Sequence, residues 1–308
     1  MDFKNYLVPG KTGLLIGIGG VSMSPLAEVL HDAGLDIRGS DMAESSNTLT
    51  LREGGIPIHI GHSADNVTDD ISFVIRTAAG PADNHEAHRR GIPVFERTQA
   101  WGALMRGYQN ALCISGTHGK TTTTSMCTHI MMAAEKDPTV MIGGTLPLLK
   151  ACHRVGKGNT IIMESCEYYN SFLALNPTIA VVLNIEADHL DFFKDLEDIK
   201  HSFRCFAERV PAETGTVIAN YDDANTMDAL RGIARKVITF GLNAKADVYA
   251  QNIVHRGSVS EFDIYHRGNY FARVTLHVPG IHNVRNALAA TAAAIVLGVS
   301  PNAVKYGL

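Results

Sequence analysis

Short apolar runs recur along the chain, separated by stretches of mixed character. Gly13 to Ile18 is one such run, closing in Gly17-Ile18-Gly19-Gly20-Val21-Ser22-Met23-Ser24. Pro25 to Ala33 then carries helical spacing and Leu35 to Arg38 returns to a strand pattern, so the periodicity predicts a β-α-β unit opened by a glycine loop. Strand-like runs at Ile56 to Ile60, Ile71 to Ile75 and Pro93 to Phe95 alternate with helix-compatible segments at Thr48 to Glu53, His85 to Arg90 and Thr98 to Met105. Such alternation predicts a doubly wound, Rossmann-like unit over residues 1–107. The stretch Gly107-Tyr108-Gln109-Asn110 reads as its linker to a second unit over 108–308.

The second unit opens on the apolar strand Ala111-Leu112-Cys113-Ile114, followed by Ser115-Gly116-Thr117-His118-Gly119-Lys120-Thr121-Thr122 and a run that continues as a helix. β-rich runs recur at Thr139 to Ile142, Thr160 to Met163, Ile179 to Leu183, Gly215 to Ala219 and Lys236 to Phe240, which predicts a mostly parallel sheet. Val248 to Val278 alternates in character and breaks at Arg256-Gly257 and Arg267-Gly268, the signature of a small antiparallel sheet. The alanine-rich Asn283 to Leu297 predicts a closing helix. The fold class is therefore α/β, a Rossmann-like unit followed by a P-loop-type unit.

Strand, glycine loop and helix in that order make a phosphate site. Glycines let backbone N–H groups face a polyphosphate, the helix N-terminus adds its positive end, Lys120 supplies a cation and Thr121 a hydroxyl for Mg²⁺. The spacing departs from G-x-x-x-x-G-K-[ST], because Ile114 stands five residues before Gly119. Gly17-x-Gly19-x-x-Ser22 is a weaker signal, compatible with a structural turn, a nicotinamide or flavin site, or another nucleotide diphosphate; Asp41 ends the second strand where an acidic ribose partner falls. Glu164-Ser165-Cys166-Glu167 and Asn184-Ile185-Glu186-Ala187-Asp188-His189 each follow a predicted strand. Carboxylates and an imidazole at strand ends suit Mg²⁺ held partly by nucleotide phosphates.

The 308 residues are 45% hydrophobic and 19% charged, enough for two separately cored domains. A formal charge of −4 gives no basic footprint for nucleic acid or an anionic membrane surface. Cys113, Cys127, Cys152, Cys166 and Cys205 are odd in number and contain no C-x-x-C pair, which predicts reduced thiols and neither a zinc site nor a disulfide frame. No stretch approaches the roughly 18 apolar residues of a membrane span. A soluble, cytoplasmic protein is expected.

Taken together, Gly17 to Ser24, Gly39-Ser40-Asp41, Phe95-Glu96-Arg97, Gly116 to Thr124, Asn184 to His189 and Pro279-Gly-Ile-His-Asn-Val-Arg-Asn286 resemble the motifs of the Mur ligases of peptidoglycan synthesis, in order and over essentially the whole chain. The resemblance implies ATP-dependent amide formation, with UDP-N-acetylmuramate and L-alanine as substrates and Mg²⁺ as cofactor. The muramoyl carboxylate attacks the γ-phosphate, and the amine then displaces phosphate from the acyl phosphate. On the family pattern Gly17, Gly19, Gly20, Ser22, Met23 and Ser24 cradle the UDP diphosphate, with Asp41 and His62 near the uridine. Gly116, Thr117, His118, Gly119, Lys120, Thr121 and Thr122 form the ATP loop, and His282, Asn283 and Asn286 lie on the adenine side. Lys120, Glu167 and His189 are the catalytic set, and Thr121, Glu167 and His189 the metal ligands.

Two departures stand out in the sequence. The family's acidic run after the strand is here Glu164-Ser-Cys-Glu-Tyr-Tyr169, and the position of a carbamylated lysine in several relatives is occupied by Phe203 and Arg204, with Lys200 too early to take that role. The resemblance also implies a third domain that brings the amino acid, whereas the sequence stops at Leu308. The expectation is a chain that binds both nucleotides yet ligates poorly alone.

Overall fold

The computed structural model describes residues 2–77, 87 and 89–308, in two compact units, Met1–Gly107 and Tyr108–Leu308. In the first unit, β1 (Thr12–Ile16), β2 (Asp36–Asp41), β3 (Ile58–Ile60), β4 (Phe73–Arg76) and β5 (Val94–Glu96) form a sheet in the order β3-β2-β1-β4-β5, all parallel. Leu14, Leu15, Phe73, Val74 and Ile75 are buried, as expected of strands covered on both faces. The order reverses between β1 and β4, so the glycine loop that leaves β1 sits at a topological switch point, where open α/β sheets take ligands.

Three described helices support this sheet. α1 (Ser24–Asp32) follows the glycine loop with Pro25 in its first turn, where a missing N–H costs nothing. α2 (Ser46–Glu53) begins with a reciprocal Ser45/Thr48 capping box, and α3 (Arg97–Met105) is capped by Glu96. Of the helix expected over His85 to Arg90, residues 85, 86 and 88 lie outside the described set.

The second unit holds one ten-stranded sheet, β15-β14-β13-β12-β11-β10-β6-β9-β7-β8. Its parallel part runs through β6 (Asn110–Ser115), β7 (Thr139–Leu146), β9 (Thr160–Glu164), β10 (Ile179–Val182), β11 (Thr216–Asn220) and β12 (Lys236–Gly241). The antiparallel meander β13 (Val248–Arg256), β14 (Val259–His266) and β15 (Asn269–Leu276) is present, and it continues the same sheet through the parallel pairs Phe240↔Val248 and Gly241↔Tyr249. At the other edge β8 (Ala151–Arg154) pairs antiparallel with β7.

Helices α4 (Lys120–Ala133), α5 (Leu196–Glu208), α6 (Ala224–Ala229), α7 (Ile281–Val296) and α8 (Pro301–Gly307) complete the second unit. α7 is alanine-rich because it is central: Ala287, Leu288, Ala289, Ala290, Ala292 and Ala293 are buried in one core with Leu112, Ile114 and Ile130. Small side chains let this helix approach α4 and the sheet closely. Among the described residues no helix is long and apolar enough to cross a membrane.

α5 is anchored by an aromatic cluster. Phe172 stacks on Phe206 with ring centroids 4.6 Å apart and meets Phe203 edge-on at 5.3 Å, all three fully buried. Phe203 is therefore a packing residue, and Arg204 is occupied by Glu208 and the carbonyls of Ala229 and Arg231. Phe203→Ala should destabilise the second unit by about 3–5 kcal/mol, read as a lower denaturation midpoint in urea. A change below about 1 kcal/mol would show that the cluster does not anchor α5.

Candidate functional site

The chain turns into its phosphate-type loop because two glycines permit backbone geometry that other residues resist. Gly116 has φ +149° and Gly119 has φ +86°, the latter immediately before α4. A Cβ at Gly116 would stand 2.8 Å from Leu183 Cβ, and one at Gly119 2.7 Å from Asn286 Oδ1, so the loop runs flush against the end of β10 on one side and α7 on the other. The loop is pinned from below. Thr117 N–H donates to Asn184 O (3.1 Å), His118 N–H to Asn184 Oδ1 (2.8 Å), Asn184 Nδ2 to His118 O (3.0 Å) and Glu186 N–H to Thr117 Oγ1 (2.9 Å).

Lys120 opens α4 and folds back over this loop. Its Nζ donates to Gly116 O (2.6 Å), Thr117 O (3.2 Å) and both carboxylate oxygens of Glu167 (3.1 and 3.0 Å). Glu167 is buried, so the ammonium and carboxylate neutralise each other where neither is well hydrated. Thr121 pairs instead with Glu164, whose Oε1 accepts from its hydroxyl at 3.0 Å while Oε2 accepts from Gly143 N–H at 2.6 Å. Thr122 is the next residue of the helix and is half-buried.

His189 stands on a different neighbour from the other two expected metal ligands. Held at φ +52°, it stacks on Tyr168 with ring centroids 4.3 Å apart. The Tyr168 hydroxyl donates to Asp191, and that bond, the leading cause, raises the phenol pKa above its ordinary value. Tyr169 and Asn170 follow in left-handed conformation, and Ser202 of α5 donates to Asn170. Lys200 is committed to Glu197 and Asp228, at 2.7 and 2.9 Å.

Among the described residues no group of three or more His, Cys, Asp or Glu is placed to hold a metal ion by itself. The donor set at the loop nonetheless fits Mg²⁺. Thr121 Oγ1 and the Glu164 and Glu167 carboxylates are hard oxygen donors beside a phosphate-type loop, and Mg²⁺ ordinarily takes one or two carboxylates with phosphate oxygens and water. Glu164 was visible in the sequence only as part of an acidic cluster; its engagement with Thr121 is a matter of strand register, since β9 pairs with both β6 and β7.

Beside the loop lies a cleft of about 480 Å³, in the range of small-molecule sites. His118, Gly119, Phe240, His282 and Asn286 line it. Asn286 Nδ2 donates to Asn283 Oδ1 (3.1 Å), and Asn283 Nδ2 to Pro279 O (2.7 Å), so Asn283 braces Asn286 at the start of α7. Asp222 and Arg285, which no sequence motif singled out by role, face each other across the cleft wall at 3.7 Å. His118 Nε2 lies 3.6 Å from Glu186 Oε2 at the mouth.

In the first unit the glycine loop is largely self-satisfied. Gly17 and Ile18 N–H donate to Ser40 O, Gly20 N–H to Gly17 O, and Met23 and Ser24 N–H to Gly20 O. Gly19 N–H donates to Asp41 Oδ2 (2.8 Å) and its carbonyl accepts from Asn47 Nδ2 (2.8 Å). Met23 and Ser24 are buried. His62 Nδ1 sits 2.9 Å from Ser40 Oγ, one residue from Asp41. Ser22 accepts from Arg97, a residue that the sequence showed only within Phe95-Glu96-Arg97.

Residues 15–109 match the Mur ligase family catalytic domain and residues 114–294 the Mur ligase middle domain. The chain is 44% identical to UDP-N-acetylmuramate–L-alanine ligase of Caldicellulosiruptor saccharolyticus over 96% of its own length and 65% of the relative's, and 44% identical to that of Agathobacter rectalis over 95% and 64%. It thus spans about 65% of the length of these relatives. Among solved structures it is similar to a UDP-N-acetylmuramate–alanine ligase of Thermotoga maritima (TM-score 0.80, 29% identity, 96% of this chain and 67% of that one). It is similar also to a UDP-N-acetylmuramate:L-alanyl-γ-D-glutamyl-meso-diaminopimelate ligase of Neisseria meningitides (TM-score 0.84, 26% identity, 97% of each chain).

Cys166 offers a reporter for the loop. It is exposed, whereas Cys113 and Cys127 are buried and burial pushes their thiols up to about 12. Desolvation of its own Sγ, with the Glu167 and Glu164 charges adding, raises the Cys166 thiol above its ordinary value. Alkylation by iodoacetamide should therefore reach Cys166 and spare Cys113 and Cys127, accelerate as pH rises past 9, and slow when inorganic triphosphate occupies the loop. Equal labelling with and without triphosphate would place the anion elsewhere.

Proposed function

The chain belongs to the Mur ligase family, and from that premise we propose that it forms the UDP-sugar-binding and ATP-binding parts of a UDP-N-acetylmuramate–L-alanine ligase. The observation that carries this reading is the ammonium of Lys120, held over a glycine loop at the N-terminus of a 14-residue helix by two carbonyls and Glu167. A cation stored this way is ready to exchange loop carbonyls for phosphate oxygens, which accept charge-assisted hydrogen bonds.

In this reading the triphosphate of ATP seats on residues 115–122 and the base occupies the cleft beside Asn286 and His282. Lys120 binds the β- and γ-phosphate oxygens and orients the γ-phosphorus for attack by the muramoyl carboxylate. ADP leaves, and the amine of L-alanine adds to the acyl phosphate carbon, expelling phosphate and losing a proton. Thr121, with Glu167 and Glu164, would hold Mg²⁺, which supplies charge neutralisation at the phosphates; His189, stacked on Tyr168, would serve a second metal position near the acyl phosphate. Little covalent work falls to the chain, whose part is positioning and electrostatic complementarity. In the first unit the glycine loop with Ser22, Asp41 and His62 receives the UDP moiety.

Two measurements test this. Lys120→Ala should weaken Mg·ATP binding on the order of tenfold or more, because an uncompensated phosphate charge loses a charge-assisted pair, while circular dichroism stays unchanged. Unchanged ATP affinity would reduce the loop to a turn. ADP release that requires UDP-N-acetylmuramate and rises with L-alanine supports the ligase assignment. Tight NADH binding without UDP-sugar binding overturns it.

A further inference from the structure

We propose that His201 and Cys205, on the solvent side of α5, form a chelating site for a thiophilic divalent cation of the Zn²⁺ class, separate from the residues assigned to nucleotide and sugar. Cysteine spacing alone predicts no zinc site, because the second ligand is a histidine one helical turn away, in His201-Ser-Phe-Arg-Cys205. Residues four apart on a helix are neighbours on its surface, and two histidines so spaced hold zinc in helical metalloprotease motifs. α5 buries Ile199, Phe203 and Phe206 and leaves His201 exposed and Cys205 half-buried. Cys205 Sγ lies 3.5 Å from His201 Nε2. That gap matches the metal: a sulfur at about 2.3 Å and a nitrogen at about 2.0–2.1 Å, at a tetrahedral angle, stand about 3.5–3.6 Å apart. The two donor atoms are already at chelating separation.

The donor set decides the class of ion. A thiolate and an imidazole suit Zn²⁺ and its softer neighbours, whereas Mg²⁺ keeps to oxygen. The cation enters by replacing a proton: the Cys205 thiol releases H⁺ to solvent, and sulfur and Nε2 each give an electron pair to the metal. Among the described residues no third His, Cys, Asp or Glu joins the pair, so water fills the remaining positions and the ion stays exchangeable. Burial, with the Glu208 carboxylate adding, holds the free Cys205 thiol above its ordinary value, so it remains a thiol until a metal draws out the proton. Glu197 and Glu208 continue the stripe one turn before His201 and one turn after Cys205, paired with Lys200 at 2.7 Å and Arg204 at 3.1 Å. A second Cys/His contact, Cys152 Sγ to His153 Nδ1 at 3.8 Å, joins successive residues of β8, and successive strand side chains leave opposite faces of a sheet. Bound metal would staple one turn of α5, the helix whose other side carries Phe203 and Phe206.

Titration of the reduced full chain with Co²⁺, in excess Mg²⁺ to occupy oxygen sites, tests this through the thiolate-to-cobalt charge-transfer absorption. The wild type should give the band, and Zn²⁺ should remove it by displacement. Cys205→Ser should abolish it. His201→Ala, a change at an exposed position that should leave circular dichroism unaltered, should weaken Co²⁺ binding at least about 10-fold, while Cys152→Ser and Cys166→Ser should each stay within about twofold of the wild type. No band in the wild type, a band retained by Cys205→Ser, its loss in Cys152→Ser or Cys166→Ser, or a His201→Ala variant that titrates as the wild type does would each overturn the proposal.

Discussion

The second unit is organised around one charge pair, the Lys120 ammonium on the buried Glu167 carboxylate. A partly buried ion pair is costly to assemble and costlier to break on one side only, so it persists where its geometry is supplied by surrounding structure. Here that supply is traceable. β6 delivers the loop, Gly116 and Gly119 let it turn, Asn184 and Glu186 clamp it, and the segment after β9 brings Glu167 to the ammonium. Each of these contacts joins segments far apart in sequence, which ties the site to the parallel sheet.

The two glycine loops solve different problems with the same residue type. In the second unit glycine allows an approach so close that a side chain would collide with Leu183 or Asn286, and the cation lies within the loop sequence itself. In the first unit the loop closes on its own backbone and on Asp41, and the nearby cation comes from another strand-helix junction, at Arg97. A glycine-rich string alone does not distinguish these two designs. The difference lies in what packs against each loop.

Much of the fold was legible because apolar runs bounded by glycine or polar residues coincide with buried strands: Ala111 to Ile114, Ile179 to Val182 and Val217 to Ala219 are all buried. The strand β8 was not legible, since Ala-Cys-His-Arg is half-buried throughout and carries neither an apolar run nor an alternation. Nor was the turn through Tyr168, Tyr169 and Asn170, because a bulky residue such as Tyr169 seldom takes the left-handed conformation and the turn is held here by tertiary contacts such as Ser202 to Asn170. Strand register explains the remaining surprise. Glu164 and Glu167 are three residues apart, yet one faces Thr121 and Gly143 while the other lies buried under Lys120. The sequence showed the acidic cluster, and only the sheet shows which carboxylate meets which partner.

We propose that the Lys120–Glu167 pair is the resting form of a triphosphate site. A crystal structure of the chain with Mg²⁺ and a non-hydrolysable ATP analogue tests it most directly. The analogue's phosphates should lie on residues 115–122, with Lys120 Nζ moved from the Gly116 and Thr117 carbonyls onto phosphate oxygens and the base in the cleft beside Asn286. An analogue bound elsewhere, with all four Lys120 contacts intact, would contradict it.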